Sequence, residues 1–427
     1  SGKLARKEIV DMLGQKEIIE IGPDENMHDI MINWMGDYAE KIGYTLRGGL
    51  ISGKPESGFN HKDHGVTSFG VHQYLLKTLD ELKINPEKDT FSVKISGGPF
   101  GDVAGNELAL LLQKTKSGYL YPNLKITAVT DGPAAAYDPE GLDKEALAAL
   151  VKKDSLEKFP AEKLKGEGAY IIYSKPEIKD AVEYYTIISR KNKNLDKKSI
   201  SRDEFMKIFQ DNLMVHYSDI FIPCGGRPST INISNWTDYL NDDTPSSKAI
   251  VEGANSFITP DARIKLQEKG VWIVKDASAN KCGVITSSYE ILSGLVLSKE
   301  EFLKYKGKLV PEIMDILKER AQKEAEWLYI QFRRTGRFMT DLTEQLSMEI
   351  NTKNEEIAKY LDKCPELIRN DIILSHLPKF FSALDPKKLD NIPMEYKKAI
   401  VSVELACRIV YGRTQGLDEE IKLALKK

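Results

Sequence analysis

The sequence has little cysteine: four residues in 427 (Cys224, Cys282, Cys364, Cys407), scattered and without a C-x-x-C pair. That excludes a disulfide framework and a zinc-finger spacing. It fits reduced thiols in a reducing compartment, so a cytoplasmic protein is expected, or a mitochondrial one in a eukaryote. An excess of one charge is also missing. Lys and Arg number 61 against 64 Asp and Glu, a net charge of −3, which offers no basic field for nucleic acid. No apolar run approaches the roughly 20 residues that span a bilayer, so no membrane partner is expected. The opening residues, SGKLARKEIVDML, carry no apolar core of a secretory signal. Metal-ligand clusters are absent as well. His61-Lys62-Asp63-His64 resembles a ligand pair, but nothing else gathers with it in the sequence, and no metal is expected. What remains is an ordinary globular balance, 41% hydrophobic and 29% charged, long enough for two or three domains.

The periodicities alternate. Residues 26–44 carry apolar side chains at helical spacing (Ile30, Trp34, Met35, Tyr38), which predicts a helix with Trp34 and Met35 in its core. Val66–Leu82 reads as a helix, Phe91–Ile95 as a strand, Gly101–Gln113 as a helix start and Leu124–Val129 as the next strand. Strand, helix, strand is a βαβ unit and predicts a parallel sheet. Residues 153–200 are lysine-rich with short strand-like pieces (AYIIYS, EYYTIIS), and read as an inserted β-ribbon with loops and solvated lysines. The α/β pattern then resumes with DIFIPC, KAIVEG and VWIVKD, each an apolar run ending in polar or small residues. In an open parallel sheet, ligands contact the carboxyl ends of the strands. Those ends are Cys224-Gly225-Gly226, Glu252-Gly253-Ala254-Asn255, and Asp276 leading to Asn280. From Lys299 onward the pattern is helical and charged, broken at Pro365, Pro378, Pro386 and Pro393, and no internal repeat is present.

The stretch Ser96–Glu107, SGGPFGDVAGNE, follows the strand FSVKI. A dinucleotide pyrophosphate needs backbone N–H donors at a helix N-terminus with no side chain in the way. Gly98 and Gly101 offer that approach, and Ala104 can occupy the closing position of the fingerprint. The next strand ends at Asp131, where a carboxylate can accept from both adenosine ribose hydroxyls and would repel the 2′-phosphate of NADP. The interval from Gly98 to Asp131 is 33 residues. That is longer than the usual roughly 20, and the loop KTKSGYLYPN can absorb the excess. On pattern alone the loop is either a dinucleotide site or a flavodoxin-like or purely structural turn.

Longer motifs bear on the choice. The segment IVEGANSFITPDARIKLQEKGVWIVKDASANKCGVITSSYEIL resembles the coenzyme domain of glutamate dehydrogenases: E-G-A-N, a T-P-x-A helix, a strand, then N-x-G-G-V and a Ser before a Glu. DIFIPCGGRPSTIN resembles the family's I-P-C strand end, and EIGPDENMHDIMINWMGDYAEKIGY its P-x-P-D segment. ISGKPESGFNHKDHGVTSFGVHQYL is similar to its T-G-K-P and A-T-G-x-G-V segments. GGPFGDVAGNE and YDPEGLD (Tyr137–Asp143) look like the large NAD-specific members, which also carry a helical C-terminal extension. The resemblance covers nearly the whole chain. It implies an α/β, Rossmann-like, doubly wound and mostly parallel sheet with an α-helical C-terminal region and a remnant of the substrate domain at the N-terminus. The domains expected are 1–65 for that remnant, 66–298 for NAD binding with the insertion at about 153–200, and 299–427 for the helical region.

The resemblance implies NAD-dependent oxidative deamination of L-glutamate to 2-oxoglutarate and ammonia, by a homo-oligomer in the full-length protein. It assigns Gly98, Gly101 and Asp102 to the pyrophosphate turn and Asp131 to the adenosine ribose. Thr67 falls at the residue reaching the nicotinamide carboxamide. Asn255 falls near the nicotinamide ribose, and Asn280 near nicotinamide and substrate. Ser287 matches the serine that holds the substrate's distal carboxylate, and Asp24 the catalytic aspartate that moves a proton to and from the substrate nitrogen. Each has a plainer reading: Asp24 as a helix start, Asn255 as a turn residue, Asn280 as an N-cap, Ser287 as a surface hydroxyl. Cys224 and Cys282 read as small buried residues.

The chain departs from the family in one respect above all. The glycine-flanked lysine segment of the substrate domain does not occur; only 23 residues precede Asp24, and Lys3 is not equated with it. The chain is therefore expected to be a C-terminal piece of a longer protein, binding NAD without efficient catalysis. Cys282 replaces the first glycine of G-G-V and Ile285 a family threonine. The alternatives are a related dehydrogenase for an apolar amino acid, or a non-catalytic NAD-binding or assembly module.

Overall fold

The computed structural model describes residues 21–23, 27–44, 50–56 and 58–412. They group into two compact units. One is Thr67–Lys281 with Glu324–Thr343; the other comprises the described residues of Ser1–Val66, Cys282–Lys323 and Glu344–Lys427. One break falls between Val66 and Thr67, and the helix Cys282–Val296 groups with the second set.

The first unit is built on a ten-stranded sheet. Its strands are β1 (Phe91–Ser96), β2 (Leu124–Thr130), β3 (Ala134–Tyr137), β4 (Tyr170–Tyr173), β5 (Glu177–Lys179), β6 (Val182–Lys191), β7 (Asn194–Ser201), β8 (Ser218–Pro223), β9 (Ser247–Val251) and β10 (Trp272–Val274). Their order is β10-β9-β8-β1-β2-β3-β4-β6-β5, with β7 on β6. The five strands from β10 to β2 run parallel; the remainder are antiparallel. The sheet is thus mixed, with a parallel half that meets the α/β expectation. The parallel strands are apolar runs because both faces are covered by helices and loops. Val93, Ile95, Ile126, Ile220, Ile222 and Ile250 have no solvent exposure.

The chain leaves β1 through the helix Asp102–Leu111 to β2 and builds the sheet outward on that side. It then returns to β8, on the other side of β1. The reversal lies between β1 and β8, and the polar turns after β1, β8, β9 and β10 all fall at one sheet edge. Residues 153–200 are an extension of this same sheet. The lysine-rich piece Asn194–Ser201 forms β7, paired along its length with β6 around a tight turn at Asn192 and Lys193 with φ of 50° and 66°.

Lys94, in the middle of β1, is fully buried. Its ammonium donates to the His216 carbonyl at 2.9 Å and the Ser246 hydroxyl at 2.6 Å, and lies 4.4 Å from the Tyr239 ring centroid. Burial lowers its pKa well below the usual lysine value.

In the second unit, the helix Asp29–Lys41 corrects one expectation. Its buried face is Ile32, Gly36 and Ala39. Trp34 is 63% exposed and stacks on Tyr38, and Met35 is only half-buried. The apolar spacing identified a helix, but the small residues make its packed face. The C-terminal region is helical as expected: Lys299–Thr335, Met339–Leu361, Asn370–His376 and Met394–Gly412, with the four prolines at or next to the starts of turns and helices. Among the described residues no helix is long and apolar enough to cross a membrane.

Candidate functional site

At the point of reversal the sheet edge is bare backbone. Gly97 takes φ of 81°, and its N–H donates to the Thr130 carbonyl at 2.7 Å. The Ser96 carbonyl accepts from the Cys224 N–H at 3.1 Å, and the Ser96 hydroxyl donates to the Gly225 carbonyl at 2.5 Å. A Cβ on Gly97 would stand 3.0 Å from the Gly225 nitrogen, and one on Gly225 would stand 3.0 Å from the Gly97 Cα. The φ of Gly97 favours glycine, and at both positions a side chain would press on the facing backbone, so the two turns pack closely with no side chain between them.

The insertion of Pro99 and Phe100 does not displace the helix. The loop closes through Gly101 N–H to the Gly98 carbonyl at 2.9 Å, and Gly101 is the N-cap of the helix Asp102–Leu111. Gly101 has no side chain to satisfy the first N–H groups, and both it and Asp102 are exposed. The N-cap makes no side-chain hydrogen bond to the first turn, and a helix N-terminus of that kind suits an anion. Gly105 lets the helix press on the loop: a Cβ there would be 2.4 Å from the Pro99 carbonyl oxygen. Such a cradle fits a pyrophosphate.

Asp131 ends β2 beside this loop. Its Oδ1 accepts from Ala134 N–H at 2.9 Å and its Oδ2 from Leu156 N–H at 2.8 Å. Burial raises its pKa, and the two amides oppose that. Each oxygen keeps a second lone-pair direction, so the carboxylate can still accept from a diol. A Cβ on Gly98 would meet Asp131 Oδ2 at 2.2 Å, so Gly98 is the residue that lets the loop lie against the carboxylate.

The turns after β9 and β10 are tied together. Asn280 Nδ2 donates to Asn255 Oδ1 at 2.6 Å and to the Gly253 carbonyl at 3.2 Å. Asn280 is thus bonded to the E-G-A-N turn, not capping the helix that follows, and Asn255 is exposed. Beneath them sits a charged group that motif reading passed over. Glu252, fully buried, accepts from Arg263 Nε at 2.9 Å and Nη2 at 3.2 Å, and Arg263 also reaches Asp276 Oδ1 at 3.4 Å. Asp276 in turn accepts from the Ser256 N–H at 2.8 Å. Burial pushes Glu252 up to about 7 against the pull of Arg263. The triad fixes the two turns that present Asn255 and Asn280. The only sequence signal for it was the Glu of E-G-A-N.

Thr67, half-buried, lies in the first turn of the helix Val66–Glu81. That helix is fastened to the glycine-loop helix twice. The Ser68 hydroxyl donates to the Val103 carbonyl at 2.8 Å. His72 bridges Glu107 Oε1 at 2.8 Å and the Tyr121 hydroxyl at 3.0 Å. These contacts join residues about 35 or more apart in sequence and left no local pattern to find. Cys224 and Cys282 are buried, and burial pushes the Cys224 thiol up, away from thiolate chemistry.

The second unit holds the remaining candidates. Ser287, on the helix Cys282–Val296, sits 3.4 Å from His61 Nε2. One turn further along, Glu290 accepts from the N–H groups of Gly53 at 2.8 Å, Lys54 at 3.3 Å and Phe59 at 2.9 Å, and pairs with the Lys54 ammonium at 2.8 Å. The S-G-K-P segment is thereby wrapped on one buried carboxylate. Asp24 lies outside the described residues.

Comparison with known proteins agrees with the motifs. The family described as Glutamate/Leucine/Phenylalanine/Valine dehydrogenase matches residues 58–340. A Schizosaccharomyces pombe protein named "Probable NAD-specific glutamate dehydrogenase" is 33% identical over 96% of this chain and 36% of its own length. "Glutamate dehydrogenase 2" of Dictyostelium discoideum is 33% identical over 96% of the chain and 38% of its own. The "NAD-specific glutamate dehydrogenase" of Saccharomyces cerevisiae is 31% identical over 97% and 38%. The chain therefore spans little more than a third of the length of these relatives. A solved structure of hetero-hexameric glutamate dehydrogenase from Thermus thermophilus is 17% identical, with a TM-score of 0.48 over 75% of this chain and 60% of its own. The chain belongs to the glutamate/leucine/phenylalanine/valine dehydrogenase family.

Proposed function

We propose that this chain is the coenzyme-binding part of an NAD-dependent glutamate dehydrogenase, whose whole protein deaminates L-glutamate oxidatively to 2-oxoglutarate and ammonia. The observation that carries the reading is the close, side-chain-free approach of the Gly97 and Gly225 turns, at the point where the parallel sheet reverses, beside an exposed helix N-terminus. The names of the relatives support NAD.

In this proposal the amides after Gly98 and Gly101 hold the pyrophosphate, with Asp102 at the same turn. Asp131 accepts from the adenosine ribose and disfavours a 2′-phosphate. Asn255 and Asn280, held by the Glu252–Arg263–Asp276 triad, meet the nicotinamide ribose and the nicotinamide, and Thr67 the carboxamide. NAD, when bound, supplies the hydride acceptor at nicotinamide C4. Ser287 orients the distal carboxylate of the substrate, and Asp24 moves the proton at its nitrogen. Ser287, with His61 beside it, favours a dicarboxylic amino acid over an apolar one. A homo-oligomer and a cytoplasmic location are proposed from the family resemblance and the reduced, scattered thiols.

Calorimetric titration of the 427-residue chain with NADH and NADPH tests the reading. NADH should bind and NADPH should bind at least roughly tenfold more weakly, about 1.4 kcal/mol. Equal affinity for both, or binding of neither, would overturn it.

A further inference from the structure

We propose that Arg227 is the counter-charge of the dinucleotide pyrophosphate. This rests on the dinucleotide reading above and adds a binding residue to it. The reason is an imbalance of charge at the glycine loop. A pyrophosphate brings two negative charges to a turn flanked by Asp102 and Asp131. The loop Gly97–Gly101 holds no basic residue. The helix N-terminus contributes the equivalent of only about half a positive charge. A full cation has to come from a neighbouring strand end.

Three basic residues lie on the turns after β8, β9 and β10: Arg227, Lys275 and Lys281. Lys281 is paired with Glu324, and Lys275 has a contact of its own. The Arg227 side chain is exposed and makes no hydrogen bond or ion pair among the described residues. Its backbone, in contrast, is held firmly. It follows Gly225, which touches Gly97, and Gly226, whose φ of 137° and 2.7 Å clearance to Phe257 admit only glycine. The Arg227 carbonyl accepts from the Thr230 hydroxyl at 2.5 Å, and Ser229 N–H donates to the Ser256 carbonyl at 2.8 Å. A fixed loop presenting an unused guanidinium suits a phosphate, which the planar fork can engage through two oxygens.

Position also decides which phosphate. β8 and β2 flank β1 on opposite sides, so the turns that carry Arg227 and Asp131 lie on opposite sides of the glycine loop. Arg227 therefore serves the diphosphate and leaves Asp131 unopposed against a 2′-phosphate.

The test is titration of wild type, Arg227→Gln, Arg227→Lys and Lys152→Gln with NADH and with ADP-ribose, at low and high salt. Lys152 is the control: its N–H donates to the Pro99 carbonyl, on the Asp131 side of the loop. Arg227→Gln should weaken both ligands roughly ten- to hundredfold and flatten the salt dependence. Arg227→Lys should fall between, Lys152→Gln should bind as wild type, and the unliganded unfolding temperatures should coincide. Wild-type affinity in Arg227→Gln, or the loss appearing in Lys152→Gln instead, would overturn the assignment alone. Failure of wild type to bind NADH would overturn the dinucleotide reading and this assignment with it.

Discussion

Glu290 shows how much a single side chain can organise. Three backbone N–H groups and the Lys54 ammonium converge on its buried carboxylate, and a Cβ on Gly58 would lie 2.1 Å from Oε1. Glu290→Gln keeps the shape but turns one acceptor into a donor facing other donors. It should cost about 2–4 kcal/mol, read as a fall in the urea midpoint at unchanged slope. A midpoint equal to wild type would show that the clamp is not needed. The sequence displayed this glutamate in its Ser-before-Glu motif, but its partners lie 231 or more residues away in the chain. No local periodicity records such a bond. The same holds for Ser68 and His72, whereas Gly98 and Asp131 stand beyond the carboxyl ends of parallel strands, a place that the strand pattern itself marks.

At the scale of elements, the parallel strands were legible as apolar runs with polar ends, since burial on both faces leaves little else possible. The helix Asp29–Lys41 was legible as a helix but not in its facing: it carries two stripes, and only packing decides that Ile32, Gly36 and Ala39 go inward. His216, just before β8, adds a pH dependence that no pattern announced. His216 stacks on Tyr137 at 3.4 Å, its Nε2 meets the Tyr170 hydroxyl at 3.1 Å, and its carbonyl holds Lys94. Burial first, and Lys94 second, lower its pKa to about 4. Below the unfolded value of about 6.5 the unfolded chain binds the proton that the folded one refuses. Stability from this group is thus complete above that pH and is lost as pH falls towards 4. The expected loss is about 2–3 kcal/mol after allowance for partial exposure. His216→Phe should flatten the acid limb of unfolding temperature against pH between about 6.5 and 4. An unchanged limb would assign the acid sensitivity elsewhere.

At the scale of the molecule, element order alone predicted the α/β sheet and its polar edge, because a βαβ crossover permits few arrangements. The β-ribbon in residues 153–200 was legible, but its joining the main sheet was not, because that pairing runs between strands far apart in sequence. The grouping of Cys282–Val296 with the first residues was hidden too, since it arises from contacts distant in sequence. What unites these observations is the claim that a dinucleotide lies on the bare backbone at the reversal of the sheet. Gly101→Val tests it most directly. The position is exposed, and the nearest atom to its new Cβ would be the Gly98 carbonyl oxygen at 3.1 Å, so the fold should survive. Isothermal titration with NADH should show binding by wild type and none by Gly101→Val, at nearly equal unfolding temperatures. Undiminished affinity in the folded variant would contradict the account.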